Sequence, residues 1–139
     1  MPGIHFFNKG TIFKLPRPRK TINWINKIAR SEGSEISELN YVFCNDKFLL
    51  GINQQYLNHD TLTDIITFDM GEGSDAIEGE IYISIPRVRE NARLHGVSFT
   101  DELDRVIIHG LLHLLGYSDK GVRKKALMRK KEDACLSLR

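Results

Sequence analysis

One stretch constrains this chain more than any other: Val106-Ile107-Ile108-His109-Gly110-Leu111-Leu112-His113-Leu114-Leu115-Gly116-Tyr117-Ser118-Asp119. It predicts an apolar helix that carries two histidines four residues apart and stops at a glycine. At about 100° per residue, His113 sits only about 40° around the helix from His109, so both imidazoles point the same way. Leu103, Ile107, Leu111 and Leu114 fall on the opposite side and face a core. Gly116 suits a left-handed C-cap that turns the chain back and brings the Asp119 carboxylate toward the two rings. Two polar rings on one face of an apolar helix have to be satisfied. Two imidazoles and one carboxylate, with a position left over, make a catalytic-type zinc site, so His109, His113 and Asp119 are the expected metal ligands and one Zn²⁺ the expected cofactor. The spacing His-x3-His-x2-Gly-x2-Asp is the metzincin layout with Asp in the third place.

Such a site activates water and polarises a carbonyl or phosphoryl oxygen, which makes hydrolysis the reaction class. A peptidase of the His-Glu-x-x-His type needs a glutamate straight after the first histidine as its base. Here that residue is Gly110, which can neither take nor give a proton. Glu102, seven residues before His109, lies about 20° from it but two turns away, and reads as a solvated first-turn acid that suits the helix dipole.

The chain of 139 residues is expected to form a single metallohydrolase domain over 1–139. It has no apolar run of membrane-spanning length and no signal-like start, and the two cysteines, Cys44 and Cys135, make no disulfide framework. Cytoplasm is the expected compartment, and Cys44 reads as a small core residue. The net charge of +2 hides an uneven layout: residues 41–84 hold one basic residue, Lys47, and eight acidic ones. Lys14, Arg17, Arg19 and Lys20 form one basic group; Lys120, Arg123, Lys124, Lys125, Arg129, Lys130 and Lys131 form another, directly after the metal loop. A solvated basic helix face and a phosphate-binding surface beside an active site both fit that pattern.

Along the chain, Ile4–Phe7 predicts a strand. Arg19–Ser31 predicts a helix on Ile22, Trp24, Ile25, Ile28 and Ala29, ended by Gly33. Ser37–Asn45 reads as a buried strand, and Asn45 or Asp46 caps a helix through about Leu57. Thr63–Asp69 and Gly79–Ile85 read as strands flanking a Gly71–Asp75 turn. Pro86 opens a helix to His95, Gly96 ends it, Thr100 caps the histidine helix, and Lys120 onward is a last helix with Val122, Leu127 and Met128 inward. The order β-α-β-α-β-β-α-α-α predicts an α+β fold: one small mixed sheet of about four strands packed with five or so helices, the metal site on a central helix.

The segment His109-Gly110-Leu111-Leu112-His113-Leu114-Leu115-Gly116-Tyr117 resembles the signature of the YbeY family of bacterial rRNA-maturation endoribonucleases. Asn53-Gln54-Gln55-Tyr56, Asp60 and Thr63-Asp64-Ile65-Ile66-Thr67-Phe68 look like that family's second motif, and Gly79-Glu80-Ile81-Tyr82-Ile83-Ser84 is similar to its following strand. The resemblance covers residues 50–130. Two departures stand out: the family usually has a third histidine where this chain has Asp119, and an arginine where it has Leu57. A carboxylate is a normal zinc ligand, whereas leucine cannot grip a phosphate as arginine does. His59 is a candidate for part of that role. Thr63, Asp64 and Thr67 are candidate supports for the site, although β-propensity and capping account for them too. What the resemblance implies is a zinc-dependent, single-strand-specific endoribonuclease acting in 16S rRNA 3′-end maturation and ribosome quality control, with single-stranded RNA and the ribosome as partners. The rival readings are a small zinc metallopeptidase and a ribosome-associated factor with a structural metal.

Overall fold

A computed structural model describes residues 3–57, 63–71 and 75–139. The elements follow in the order β1 (Gly3–Lys9), α1 (Pro18–Ser31), β2 (Ile36–Cys44), α2 (Asp46–Leu57), β3 (Ile65–Asp69), β4 (Ile77–Ser84), α3 (Ile85–His95), α4 (Phe99–Leu114) and α5 (Val122–Leu136). The strands form one mixed sheet in the order β1-β2-β4-β3; β1 and β4 run parallel to β2, and β3 pairs antiparallel with β4. This is the expected α+β architecture of four strands and five helices.

β2 is an inner strand whose C-terminal half, Tyr41–Cys44, is buried and apolar on both faces, as a strand covered on two sides must be. Leu39, Tyr41 and Phe43 join Ile81 and Ile83 of β4 in the main core, which also takes Trp24, Ile25 and Ile28 of α1 and Leu103, Ile107 and Leu111 of α4. Tyr41 is wholly buried, and its hydroxyl donates to the Ile107 carbonyl at 2.9 Å, tying the central strand to the histidine helix. On the other face, Cys44, Leu49, Ile52 and Ile66 form a smaller core under α2. Cys44 is the core residue expected, its thiol pushed up to about 12 by burial and then by the Asp46 charge.

α4 meets the sheet very closely at Gly110. A Cβ there would lie 2.8 Å from Ile81 Cδ1 and 3.1 Å from Ile65 Cδ1. Only glycine lets the helix sit this deep, and its depth fixes the height of the flanking histidines over β3 and β4.

Two expected details are corrected. Ser98, not Thr100, caps α4: its hydroxyl accepts from the Asp101 amide at 3.1 Å, and Phe99 already belongs to the helix. In α5, Met128 points inward but Val122 and Leu127 are 87% and 55% exposed. The buried residues are Met128, Glu132 and Cys135, which share one face at helical spacing. A charged residue thus occupies the middle of the packing stripe, a position that apolar patterning passes over. Of the Gly71–Asp75 turn, residues 72–74 lie outside the described residues, as do His59 and Asp60.

Candidate metal centre

The last turn of α4 and the loop after it build the site. The Gly116 amide donates to the His113 carbonyl and the Tyr117 amide to the Leu112 carbonyl, both at 3.0 Å. Gly116 takes φ +102°, a conformation that favours glycine, and reverses the chain there. Tyr117 then anchors the loop by donating its hydroxyl to Glu32 Oε1 at 2.7 Å. The reversal carries Asp119 back over the helix.

The three expected ligands come together. His109 Nε2 and His113 Nε2 are 3.1 Å apart, and Asp119 Oδ2 lies 3.5 Å from the first and 3.7 Å from the second. A tetrahedral ion with arms of about 2.1 Å needs its ligand atoms about 3.4 Å apart. The triangle already has that size, so the donor set fits a zinc ion with little movement. Among the described residues, the group stops at three donors.

Glu132, which sequence reasoning passed over, completes the arrangement. It is 5% exposed, and its Oε2 sits 2.5 Å from His109 Nδ1. A carboxylate at Nδ1 makes that nitrogen the proton carrier and leaves the Nε2 lone pair aimed at the triangle. Arg105 holds Glu132 in turn, donating from Nη1 to its Oε1 at 2.9 Å and from Nη2 to Asp133 at 2.5 Å. The signal in the sequence was faint: a carboxylate at a helix position otherwise occupied by Met128 and Cys135.

The two imidazoles differ electrostatically. Burial pushes His109 down, but the Glu132 hydrogen bond and charge, with Asp119 and Asp64, outweigh it and raise its pKa. His113 is lowered by burial and by the neighbouring His109 charge, against the pull of Asp119.

The triad opens into a cleft of about 870 Å³ that runs past Leu57 and Thr63 and along β3. Glu102 lines this cleft and is 5% exposed, facing His95 Nδ1 at 3.3 Å; it is not the solvated acid that its first-turn position suggested. Asp64 lines it too, its pKa raised by burial first and also by the Glu102 charge, with Asn91 donating to Oδ2 at 3.5 Å. Thr63 turns its hydroxyl to the Ile65 carbonyl at 3.3 Å, a local capping role. Thr67 pairs with Ile81 in the sheet and lines the cleft floor. Leu57 stands at the cleft edge, at the end of α2. No described helix is long and apolar enough to cross a membrane.

The family described as Endoribonuclease YbeY matches residues 8–138. Among curated relatives, proteins named Endoribonuclease YbeY from Cytophaga hutchinsonii and Flavobacterium psychrophilum are 52% and 53% identical to this chain. The alignments cover 98% and 95% of it and 95% and 94% of the relatives. The solution structure of TM1509 from Thermotoga maritima superposes with a TM-score of 0.68 at 27% identity, over 97% of this chain and 87% of that one. With the family matched over residues 8–138 and relatives more than 50% identical over nearly the whole length, the chain belongs to the YbeY endoribonuclease family.

Proposed function

We propose that this chain is a zinc-dependent endoribonuclease that cuts single-stranded RNA, acting on 16S rRNA at its 3′ end and in ribosome quality control. On this reading it works in the cytoplasm, with residues 1–139 as one metallohydrolase domain. His109, His113 and Asp119 are the ligands. The observation that carries the proposal is the size of their triangle, with edges of 3.1, 3.5 and 3.7 Å, at the head of a cleft.

When bound, zinc supplies Lewis acidity, polarising a phosphoryl oxygen and bringing water to a pKa of about 7. The chain's own residues set the frame for that chemistry. Glu132 fixes the His109 ring and tautomer, and Arg105 fixes Glu132. Beyond the triad, Asp64, Asp69, Glu102 and Glu132 line the cleft, and burial raises the Asp64 carboxyl above its ordinary value. Asp64 is therefore a candidate for moving a proton to or from a bound phosphodiester.

A peptidase reading loses ground at Gly110. A glutamate base at that position would drive its Cβ into Ile81 and Ile65, so helix depth and the peptidase's base exclude each other. Among the described residues the donor group has three members, which favours an enzyme over a purely structural four-ligand metal.

The test is incubation of the zinc-loaded protein with single-stranded rRNA and with casein, with and without chelator. RNA should be cut and casein left intact, with chelator abolishing cleavage and zinc restoring it. Cleavage of casein alone would overturn the proposal. Tight zinc with neither substrate cut would favour a structural metal.

A further inference from the structure

The cleft walls pose a problem for an anionic substrate. Asp64, Asp69, Glu102, Asp119 and Glu132 line it, against two cations, Arg105 and Lys120. Arg105 is committed to Glu132 and Asp133. Of the cations lining the cleft, Lys120 alone makes no ion pair with any described residue, and it follows directly after Asp119. A phosphate approaching the triad therefore has one uncommitted positive partner at hand.

Beyond Lys120 the chain enters α5, where Arg123, Lys124, Lys125, Arg129 and Lys130 are all exposed. Among the described residues none of the five forms an ion pair. A solvated helix usually offsets such a row with acids at i,i+4. Asp133 has that spacing from Arg129, yet its carboxylate takes Arg105; Glu132 is turned inward to His109, and Lys131 is held by Glu32 at 2.6 Å. Of the two acids of α5, Glu132 is turned inward and the exposed Asp133 is paired with Arg105, so neither offsets the five outer cations and that surface keeps its positive charge. At about 1.5 Å per residue the helix extends about 22 Å from the metal loop, room for several phosphates of an extended strand.

The other basic group lies elsewhere. None of Lys14, Arg17, Arg19 and Lys20 lines the cleft; Arg17 and Lys20 border a separate groove beside Trp24 and Phe99. The fold therefore separates two groups that the sequence presents as equals.

We infer that the RNA strand passes from the triad across Lys120 and along the outer surface of α5, with Lys120 meeting the phosphate nearest the triad. This rests on the endoribonuclease reading. The contact is to the backbone, so it is sequence-tolerant and salt-dependent.

The experiment measures binding of a fluorescent twenty-nucleotide 2′-O-methyl oligouridylate to the zinc-loaded protein by anisotropy across a salt series. RNA cleavage by the wild type is followed separately. The triple variant Arg123→Glu, Lys124→Glu, Lys125→Glu should bind at least tenfold more weakly, with its log–log salt slope reduced by about 2, since each single-strand phosphate contact contributes about 0.7. Lys120→Ala should lose about threefold. The matched triple Lys14→Glu, Arg17→Glu, Arg19→Glu should stay within twofold of wild type. Because charge reversal can unsettle a helix, the milder Arg123→Gln, Lys124→Gln, Lys125→Gln set is measured too, and should move the same way by a smaller factor. Equal losses in the two reversed triples, a loss only in the Lys14 set, or no binding by the wild type would overturn the inference. Wild-type cleavage with no effect of the α5 variants defeats the strand path and leaves the endoribonuclease reading standing. Binding that α5 governs, without any cleavage, does the reverse.

Discussion

His109 Nδ1 and Glu132 Oε2 lie 2.5 Å apart although 23 residues separate them in the chain. The pair joins the histidine helix to the last helix at the one buried charge in the α5 packing stripe. Its consequence is ring orientation, since a carboxylate at Nδ1 points Nε2 at the metal triangle. Glu132→Gln should therefore weaken zinc binding by about 10–100-fold, read by competition with a chelating dye. Affinity within twofold of wild type would show that Glu132 serves packing alone.

The same geometry separates the roles of the three proposed ligands. His113→Ala removes one corner of the triangle and should abolish stoichiometric zinc. Asp119→Ala should weaken binding while Asp119→His retains it, because imidazole nitrogen and carboxylate oxygen bind zinc at nearly equal distances of about 2.0–2.2 Å. Metal content after dialysis checks all three. If both Asp119 variants bind like wild type, the loop carboxylate is not a ligand.

Gly110 carries a packing prediction. In Gly110→Ala the new methyl would sit 2.8 Å from Ile81 Cδ1 and 3.0 Å from Ile81 Cγ2. Overpacking of that kind costs about 1–3 kcal/mol, so the midpoint of urea denaturation should fall, and Ile81→Val in the same chain should restore part of the loss. A more stable Gly110→Ala would mean that helix propensity, not contact with the sheet, dominates there.

The histidine helix, the sheet strands and the α+β order were legible because period and spacing are local properties. The triad was legible for the same reason: His109, His113, Gly116 and Asp119 lie within one helix end and its turn. What escaped was carried by long-range contact. Glu102 reads as a solvated first-turn acid, yet in the fold it is 5% exposed, lines the cleft and faces His95 of α3. Glu132 offered no motif, because its partner is set by how α5 crosses α4. Val122 and Leu127 read as inward on hydrophobicity, but α5 places Glu132 against His109 and leaves both exposed. Ser98 displaced Thr100 as the α4 cap by two residues, the ordinary uncertainty when several capping residues precede a helix.

The loop that carries Asp119 is tethered by a second carboxylate, and this gives the fold a pH dependence of definite sign. Glu32 accepts from Tyr117 at 2.7 Å and pairs with Lys131 at 2.6 Å. The Lys131 hydrogen bond first, then that of Tyr117, holds its carboxyl below the usual value. A depressed folded pKa means that the stabilisation is complete above the unfolded glutamate value of about 4.3 and is lost as the pH falls through the lower folded value. The wild type should therefore lose melting temperature steeply on acidification below pH of about 4.3. Glu32→Gln, which keeps the shape but not the charge, should start about 1 kcal/mol less stable at neutral pH, since the pair is partly exposed, and show a shallower acid limb. Because Tyr117 fixes the reversal that presents Asp119, the same variant should also bind zinc more weakly at pH 7. Thermal melts of both proteins between pH 3 and 7, with and without zinc, separate the two effects. Parallel acid limbs would show that Glu32 takes no part in the linkage, and unchanged zinc affinity would show that the loop is held without the Glu32 charge.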